Sequence, residues 1–273
     1  MSELNTLKNH LDQKSKNTEI LYLRYYQKMK NYFNIDLQDV DIEDFRMYAD
    51  DLDVSANTRA MYLNVYFVVK KITGAPNEDL DELKDYRNEL LVDIQNNLEQ
   101  VNSNLDLPKH KDLVNYMNGA YSLKQYKRYI INYLLLTYYV RNEDINVIIT
   151  ADDTDLKTDQ NYLILKNNPK HVVYIRNKYK TANKHGSKVH NILNKDFYIA
   201  VRDLFDKGET NLLLKSIHFD VKNNTHLKIG EGKYLKCCIN NIRDSGNINI
   251  LKNISESRGT AYGVLLNSYN TGF

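Results

Sequence analysis

At 273 residues with 42% hydrophobic content, the chain can build one large domain or two modest ones. Only 10 glycines and 3 prolines occur, which favours long helices and argues against a Gly-rich nucleotide-binding loop, and no run of about 18 apolar residues suggests a membrane span. The net charge of +2 hides an asymmetry: residues 1–105 hold 12 Lys/Arg against 19 Asp/Glu, whereas residues 106–273 hold 25 against 16, so the second part is the one suited to a polyanion.

Residues 1–17 are polar, lack the apolar core of a signal peptide, and read as frayed. Residues 18–33 carry an amphipathic helical rhythm. Asp41, with Asp44 three positions on, marks a capped helix start. Ser55 to Thr58 opens a further helix reaching Ile72, and Gly74 with Pro76 ends it. Residues 77–102 form a charged helix, and the polar run 101–109 with Pro108 reads as a linker.

Beyond it, a helix from Ser122 to Val140 is apolar on nearly every side, as helices buried in a larger core are. It delivers Arg141, either as a rigidly held anion contact or as a cation complementing the helix dipole. The period then shifts to that of strands at 145–150, 161–166, 171–176 and 188–192, which predicts a small antiparallel sheet beside helices. Lys180, Lys184 and Lys188 punctuate the turn before the last strand, where they can reach a phosphate or simply face water. Helices resume at 194–208 and 211–219, with a polar connector at 220–229.

The stretch 230–273 organises the rest. An apolar helical rhythm breaks at Gly246 and resumes toward Tyr269. Lys233 and Lys236 stand at helical i,i+3 spacing, followed by Arg258 and then Tyr269. Cations ahead of a phenol suit a phosphate held beside a nucleophile. The only cysteines, Cys237 and Cys238, are adjacent and do not bridge, which fits a reducing intracellular compartment. The scattered histidines give no compact metal motif.

In order and separation, these parts resemble the tyrosine recombinase and integrase family, which includes the type IB topoisomerases. Arg141 in LLLTYYVRNEDI matches the family's first arginine, with Glu143 and Asp144 close behind. Lys180 in KYKTANKHGSK matches the hairpin lysine, with Lys184 as the alternative. Lys233-Tyr-Leu-Lys236 matches the family's basic residue, two residues, then arginine; Arg258 falls in the His/Trp slot and Tyr269 in that of the nucleophile. The resemblance implies a mainly α fold with a small antiparallel β-sheet: a helical core-binding-like domain at 1–102 and a catalytic-like DNA breaking-rejoining domain at 106–273.

It further implies that Tyr269 attacks DNA to give a 3′-phosphotyrosyl intermediate with no cofactor and no metal. Arg141, Lys236 and Arg258 would bind the non-bridging oxygens, Lys180 would protonate the leaving oxygen, Lys233 would assist, and Lys184 and Lys188 would contact DNA. The implied partner is double-stranded DNA, with self-association on it and no membrane. Three features depart from the pattern: lysine at 236 replaces a two-pronged fork with a point charge, basic residues other than histidine stand at 233 and 258, and the N-terminal part is acidic. An alternative is therefore a catalytically inactive recombinase-fold protein retained for DNA binding or nucleoprotein structure. The tryptophan-free composition, with 22 tyrosines, resembles that of proteins from AT-rich genomes such as large DNA viruses; the expected place of action is intracellular, in the nucleus or at a viral replication site for a eukaryotic or viral source and otherwise in the cytoplasm or nucleoid.

Overall fold

The computed structural model describes residues 2–103, 106–213, 216–246 and 249–269, and their side chains except at 99, 101–103 and 266–269. The chain divides into two compact units, Met1–Val101 and Asn102–Phe273.

The first unit is helical: α1 (Glu3–Leu11), α2 (Lys16–Phe33), α3 (Ile42–Asp51), α4 (Ala56–Ile72) and α5 (Asn77–Ser103). Short polar side chains set the starts. Ser2, Ser15 and Ser55 each accept the amide N–H three residues on, and Asp41 accepts that of Glu43. An aromatic core follows, with Phe45 stacked on Tyr66 at 4.1 Å and Tyr25 edge-on to Tyr62 at 4.6 Å.

Residues 2–17 are not frayed. Leu7 and Leu11 of α1 are buried, and the carboxylate of Glu3 accepts the backbone N–H groups of Leu37 at 3.1 Å and Gln38 at 2.6 Å. A charged side chain thus satisfies two donors that a short 3₁₀ turn leaves open.

The second unit contains α6 (His110–Ser122), α7 (Tyr126–Tyr138), β1 (Val147–Thr150), β2 (Asn161–Asn167), β3 (Lys170–Arg176), α8 (Ala182–His185), β4 (Lys188–Ile192), α9 (Lys195–Asp206), α10 (Ile217–Asn224), α11 (Glu231–Asp244), α12 (Asn249–Arg258) and α13 (Tyr262–Tyr269). The fold class is mainly α with a small sheet, in strand order β1-β2-β3-β4. The sheet is mixed rather than wholly antiparallel, because β1 runs parallel to β2 while β2–β3 and β3–β4 are antiparallel. Residues 151–160 carry the chain back for that parallel pairing, which a tight turn cannot do.

Two other expectations change. Residues 211–213 are not helical: Asn211 forms an isolated bridge with Ile148, Leu212 donates to Val147 O at 3.2 Å and Ile149 to Thr210 O at 2.7 Å, extending the sheet edge beyond β1. The supposed connector at 220–229 holds most of α10 and a 3₁₀ turn. Among the described residues, no helix is long and apolar enough to cross a membrane.

α7 is the hub of this unit's core, burying Tyr129, Ile130, Ile131, Leu134 and Leu135 among residues of α6, α9, α11 and the sheet. Its one buried amide, Asn132, is fully used: it donates to Arg128 O and Asn224 O, both at 2.7 Å, and accepts from the Tyr234 hydroxyl at 2.5 Å.

Candidate functional site

The end of α7 starts the site. Tyr139 takes a left-handed conformation (φ 52°) and stops the helix, leaving terminal carbonyls without helical partners. Residues from the far end of the chain fill that need. Ser257 Oγ donates to Tyr138 O at 2.9 Å, and the Arg258 guanidinium donates to Tyr139 O at 2.6 Å and Val140 O at 3.1 Å.

Arg141 follows at once and opens the 3₁₀ turn Asn142–Ile145. Its backbone N–H donates to Asp144 Oδ2 at 3.2 Å. Its guanidinium donates to Arg258 O and, at 2.7 Å, to Thr260 Oγ1. The first-arginine candidate is thus held at both ends, by its own turn and by the segment after α12.

Arg258 itself is 2% exposed. Besides the α7 carbonyls, its guanidinium pairs with Glu231, the first residue of α11. The side chain matched to a phosphate-facing slot faces protein on three sides. Lys233 and Lys236 lie further along α11, the first exposed and the second half-buried. Burial, with Lys233 as a like-charged neighbour, lowers the Lys236 pKa from its ordinary value.

A third arginine, Arg176, joins the site although the sequence pattern does not nominate it. It is 0% exposed and closes β3. Nη2 donates to Asp144 Oδ2 at 2.6 Å and to Ser257 O at 3.0 Å, and Nη1 to Ser257 Oγ at 3.2 Å. The signal existed in the sequence. The two-residue period of a strand puts Arg176 on the same inward face as Val172 and Tyr174, both buried.

Lys188 begins β4 directly opposite Arg176. Its ammonium donates to Glu256 O and, at 3.0 Å, to Ser257 O, and sits 5.1 Å over the Tyr179 ring. Desolvation first, and the Arg176 charge second, lower its pKa. Together with His185, Ser255, Glu256, Gly259, Thr260 and Ala261 it lines a cleft of about 500 Å³.

Between β3 and β4, Lys180 is exposed in the loop and Lys184 is exposed on the short helix α8. The loop is fixed at its root and near its tip. Asn161 donates to Glu143 O at 3.1 Å and Lys178 O at 2.9 Å, and accepts Lys178 N–H at 2.7 Å, which pins the segment before Lys180 to the Arg141 turn. Thr181 packs on Gly259, where a Cβ would lie 1.9 Å from Thr181 Oγ1.

Tyr269 is the last residue of α13; its side chain lies outside the described residues. α13 is docked through Leu265, buried in a small cluster with Leu235, Ile239, Leu251 and Ile254 of α11 and α12.

The segments 138–144, 176–188, 231 and 256–260 therefore meet at one place. Among the described residues, Arg141, Arg176, Lys188 and Arg258 gather around the buried Asp144 and the half-buried Glu231, with Glu256 exposed at the rim. Such a surplus of positive charge, partly withdrawn from water, suits an anion. Among the described residues no cluster of three or more His, Cys, Asp or Glu is placed to hold a metal.

No family model matches the sequence, and no curated protein matches it. Among solved structures, the crystal structure of XerA recombinase is similar over 99% of this chain and 94% of that one, with a TM-score of 0.37 and 10% identity, a degree of likeness that by itself assigns neither fold nor activity.

Proposed function

We propose that the chain is a DNA strand-transferase of tyrosine recombinase type, cleaving and rejoining DNA through a phosphotyrosyl bond at Tyr269. The observation that carries this reading is the bonding of Arg141 to Arg258 O and Thr260, in a pocket also bounded by the lysine-bearing loop and the start of α11. Segments that match the resemblance only by order and spacing are neighbours in space, around an excess of cations.

In this reading the phosphodiester enters beside Arg141, Lys188 and Lys236, whose charges stabilise the oxygens as negative charge grows on them. The Tyr269 phenol gives up its proton to water, its oxygen attacks phosphorus to form the 3′-phosphotyrosyl bond, and the P–O bond to the 5′ oxygen breaks, leaving an oxygen that needs a proton. Lys180 is one donor. Lys188 is a second, favoured by its place in the cleft and by a lowered pKa that eases proton loss. Attack by a 5′ hydroxyl on the phosphotyrosyl bond then rejoins a strand and frees the phenol. Arg258 contributes by bracing α7 and Glu231 and by offering its carbonyl to Arg141. The helical unit at 1–102 would also contact the duplex, and copies of the chain would associate on it.

The test is a nicked duplex bearing the native site, incubated with the full chain in excess EDTA. A covalent complex that survives denaturation, maps to Tyr269 and vanishes in Tyr269→Phe while DNA binding persists is the expected result. An adduct on another tyrosine, or one retained by Tyr269→Phe, refutes the assignment. A second reading, an inactive DNA-binding protein of the same fold, draws on Arg258 being engaged within the protein and on lysine at position 236. Tight binding of the native site with no adduct under any condition would select it.

A further inference from the structure

We propose that Arg176 is a positioning residue, one that fixes the Arg141 guanidinium by holding both of its supports; the inference builds on reading this cluster as the strand-cleavage site. Arg141 is gripped from two directions. On one side Asp144 Oδ2 accepts its backbone N–H, and on the other Arg258 O and Thr260 Oγ1 accept from its guanidinium. Arg176 bonds to the same Asp144 oxygen and to both the hydroxyl and the carbonyl of Ser257, the residue before Arg258. It is thus one bond behind Arg141 on each side. No other described side chain makes hydrogen bonds to both Asp144 and Ser257.

The energetics favour a geometric role. An arginine and an aspartate that are both 0% exposed gain little net stability from each other, because desolvating two charges offsets most of their attraction. Here the pair is not even saturated: Arg176 Nε and Asp144 Oδ1 are buried without hydrogen-bond partners. A well-packed apolar residue would serve the core as well. The arginine supplies a planar fork that fixes the 3₁₀ turn and the end of α12 at one separation. The same residue faces Lys188 across the β3–β4 ladder, so the lysine of the cleft is registered to the same frame.

The test uses the full chain labelled with ¹⁵N-arginine. The Arg141 Nε–H signal is assigned by its loss in Arg141→Lys, and its exchange with solvent is measured. In folded Arg176→Met, exchange at Arg141 should rise about tenfold or more as its supports loosen. Arg176→Lys, which keeps the charge but not the fork, should fall between Arg176→Met and the wild type. If Arg176→Met does not melt cooperatively, Arg176→Lys and Ser257→Ala carry the comparison. Unchanged Arg141 exchange in the folded Arg176 variants overturns the proposal.

On the nicked duplex, the single-turnover rate of adduct formation should fall about 100-fold in Arg176→Met, the cost of a displacement near 1 Å, with DNA affinity within about threefold of wild type. Loss of binding in step with cleavage, or cleavage at the wild-type rate, also overturns it. If the wild-type chain forms no adduct, the strand-transferase reading falls by itself, and the exchange at Arg141 still decides whether Arg176 positions it.

Discussion

Arg141 donates from its guanidinium to the backbone oxygen of Arg258, 117 residues later, while the Arg258 side chain reaches back to the carbonyls of Tyr139 and Val140 just before Arg141. The two arginines are interlocked, each using the other's backbone surroundings as acceptor. Their consequences on substitution should therefore differ.

Arg258→Ala would leave Glu231 and the α7 carbonyls without their cation, and should destabilise the second unit by about 3–5 kcal/mol, the scale for removing one partner of a buried pair. Arg258→Lys should recover part of that. Arg141→Ala should cost less in stability, because Arg141 is only half-buried, and more in strand cleavage. Denaturant melts beside single-turnover cleavage separate the two effects. A stable Arg258→Ala with cleavage abolished would show that Arg258 serves the phosphate rather than the frame.

Affinity for duplex DNA should fall as salt rises, with a log–log slope of about 0.9 for each phosphate neutralised. Lys180, Lys184 and Lys233 are exposed, and each changed to Ala should lower that slope by roughly one if it meets a phosphate. Filter or fluorescence titrations from about 50 to 200 mM salt measure it. A flat salt profile would remove DNA as the partner.

Gly259→Ala should be among the most disruptive small substitutions in the chain. The backbone there has φ +58°, a left-handed conformation that costs an alanine roughly 1–2 kcal/mol, and the new Cβ would lie 1.9 Å from Thr181 Oγ1. With overpacking added, the loss should total about 2–4 kcal/mol. Thr181→Gly, which deletes the opposing atoms, should restore much of it in the double variant. Additive losses would mean that the two residues do not touch in solution.

His190 packs between Tyr138 and Tyr174, with ring centroids at 4.8 and 6.0 Å, and its Nε2 is buried without a hydrogen-bond partner. Burial, then the charges of Arg176 and Lys188, lower its pKa below the ordinary 6.5. Above 6.5 the ring is neutral in both folded and unfolded chains, so no stability is lost. As pH falls below 6.5 the unfolded chain takes up a proton that the folded chain resists, and stability declines until the folded pKa is reached. The unfolding free energy should thus drop between pH 7 and 5.5, and His190→Phe, which keeps a ring between the tyrosines, should flatten that drop. His110, also lowered by burial, leaves a residual slope. An identical slope in wild type and His190→Phe would remove His190 as its source.

Helix starts were legible because their chemistry is local. Ser55 and Asp41 accept amides two or three residues away, and that preference is written in adjacent residues. α1 is not legible although Leu4, Leu7 and Leu11 form a helical stripe, because nine polar-rich residues make a weak pattern until Glu3 meets the turn at Leu37. Strand positions followed from alternation, but alternation has no direction, so the parallel pairing of β1 with β2 was invisible. At the site, sequence spacing could nominate Arg141 and Arg258. Which way a guanidinium points depends on carbonyls left open at the end of α7, and those are fixed only by the assembled fold.

The carbonyls at the end of α7 have a further consequence, for the order of assembly. A helix terminus usually finds its cap within a few residues, so it can mature as soon as it is made. Here the caps come from Ser257 and Arg258, 119 residues downstream of Tyr138 and Tyr139. During synthesis the central helix must wait, its end provisionally wetted by water, while the sheet, α9, α10 and α11 are produced. The cluster of Arg141, Arg176 and Arg258 accordingly cannot assemble on a chain that ends before residue 258. It closes in a late step of high sequence separation, and slow closure of that kind leaves the part of α7 that packs on α11 exposed to misassembly for as long as α11 is missing.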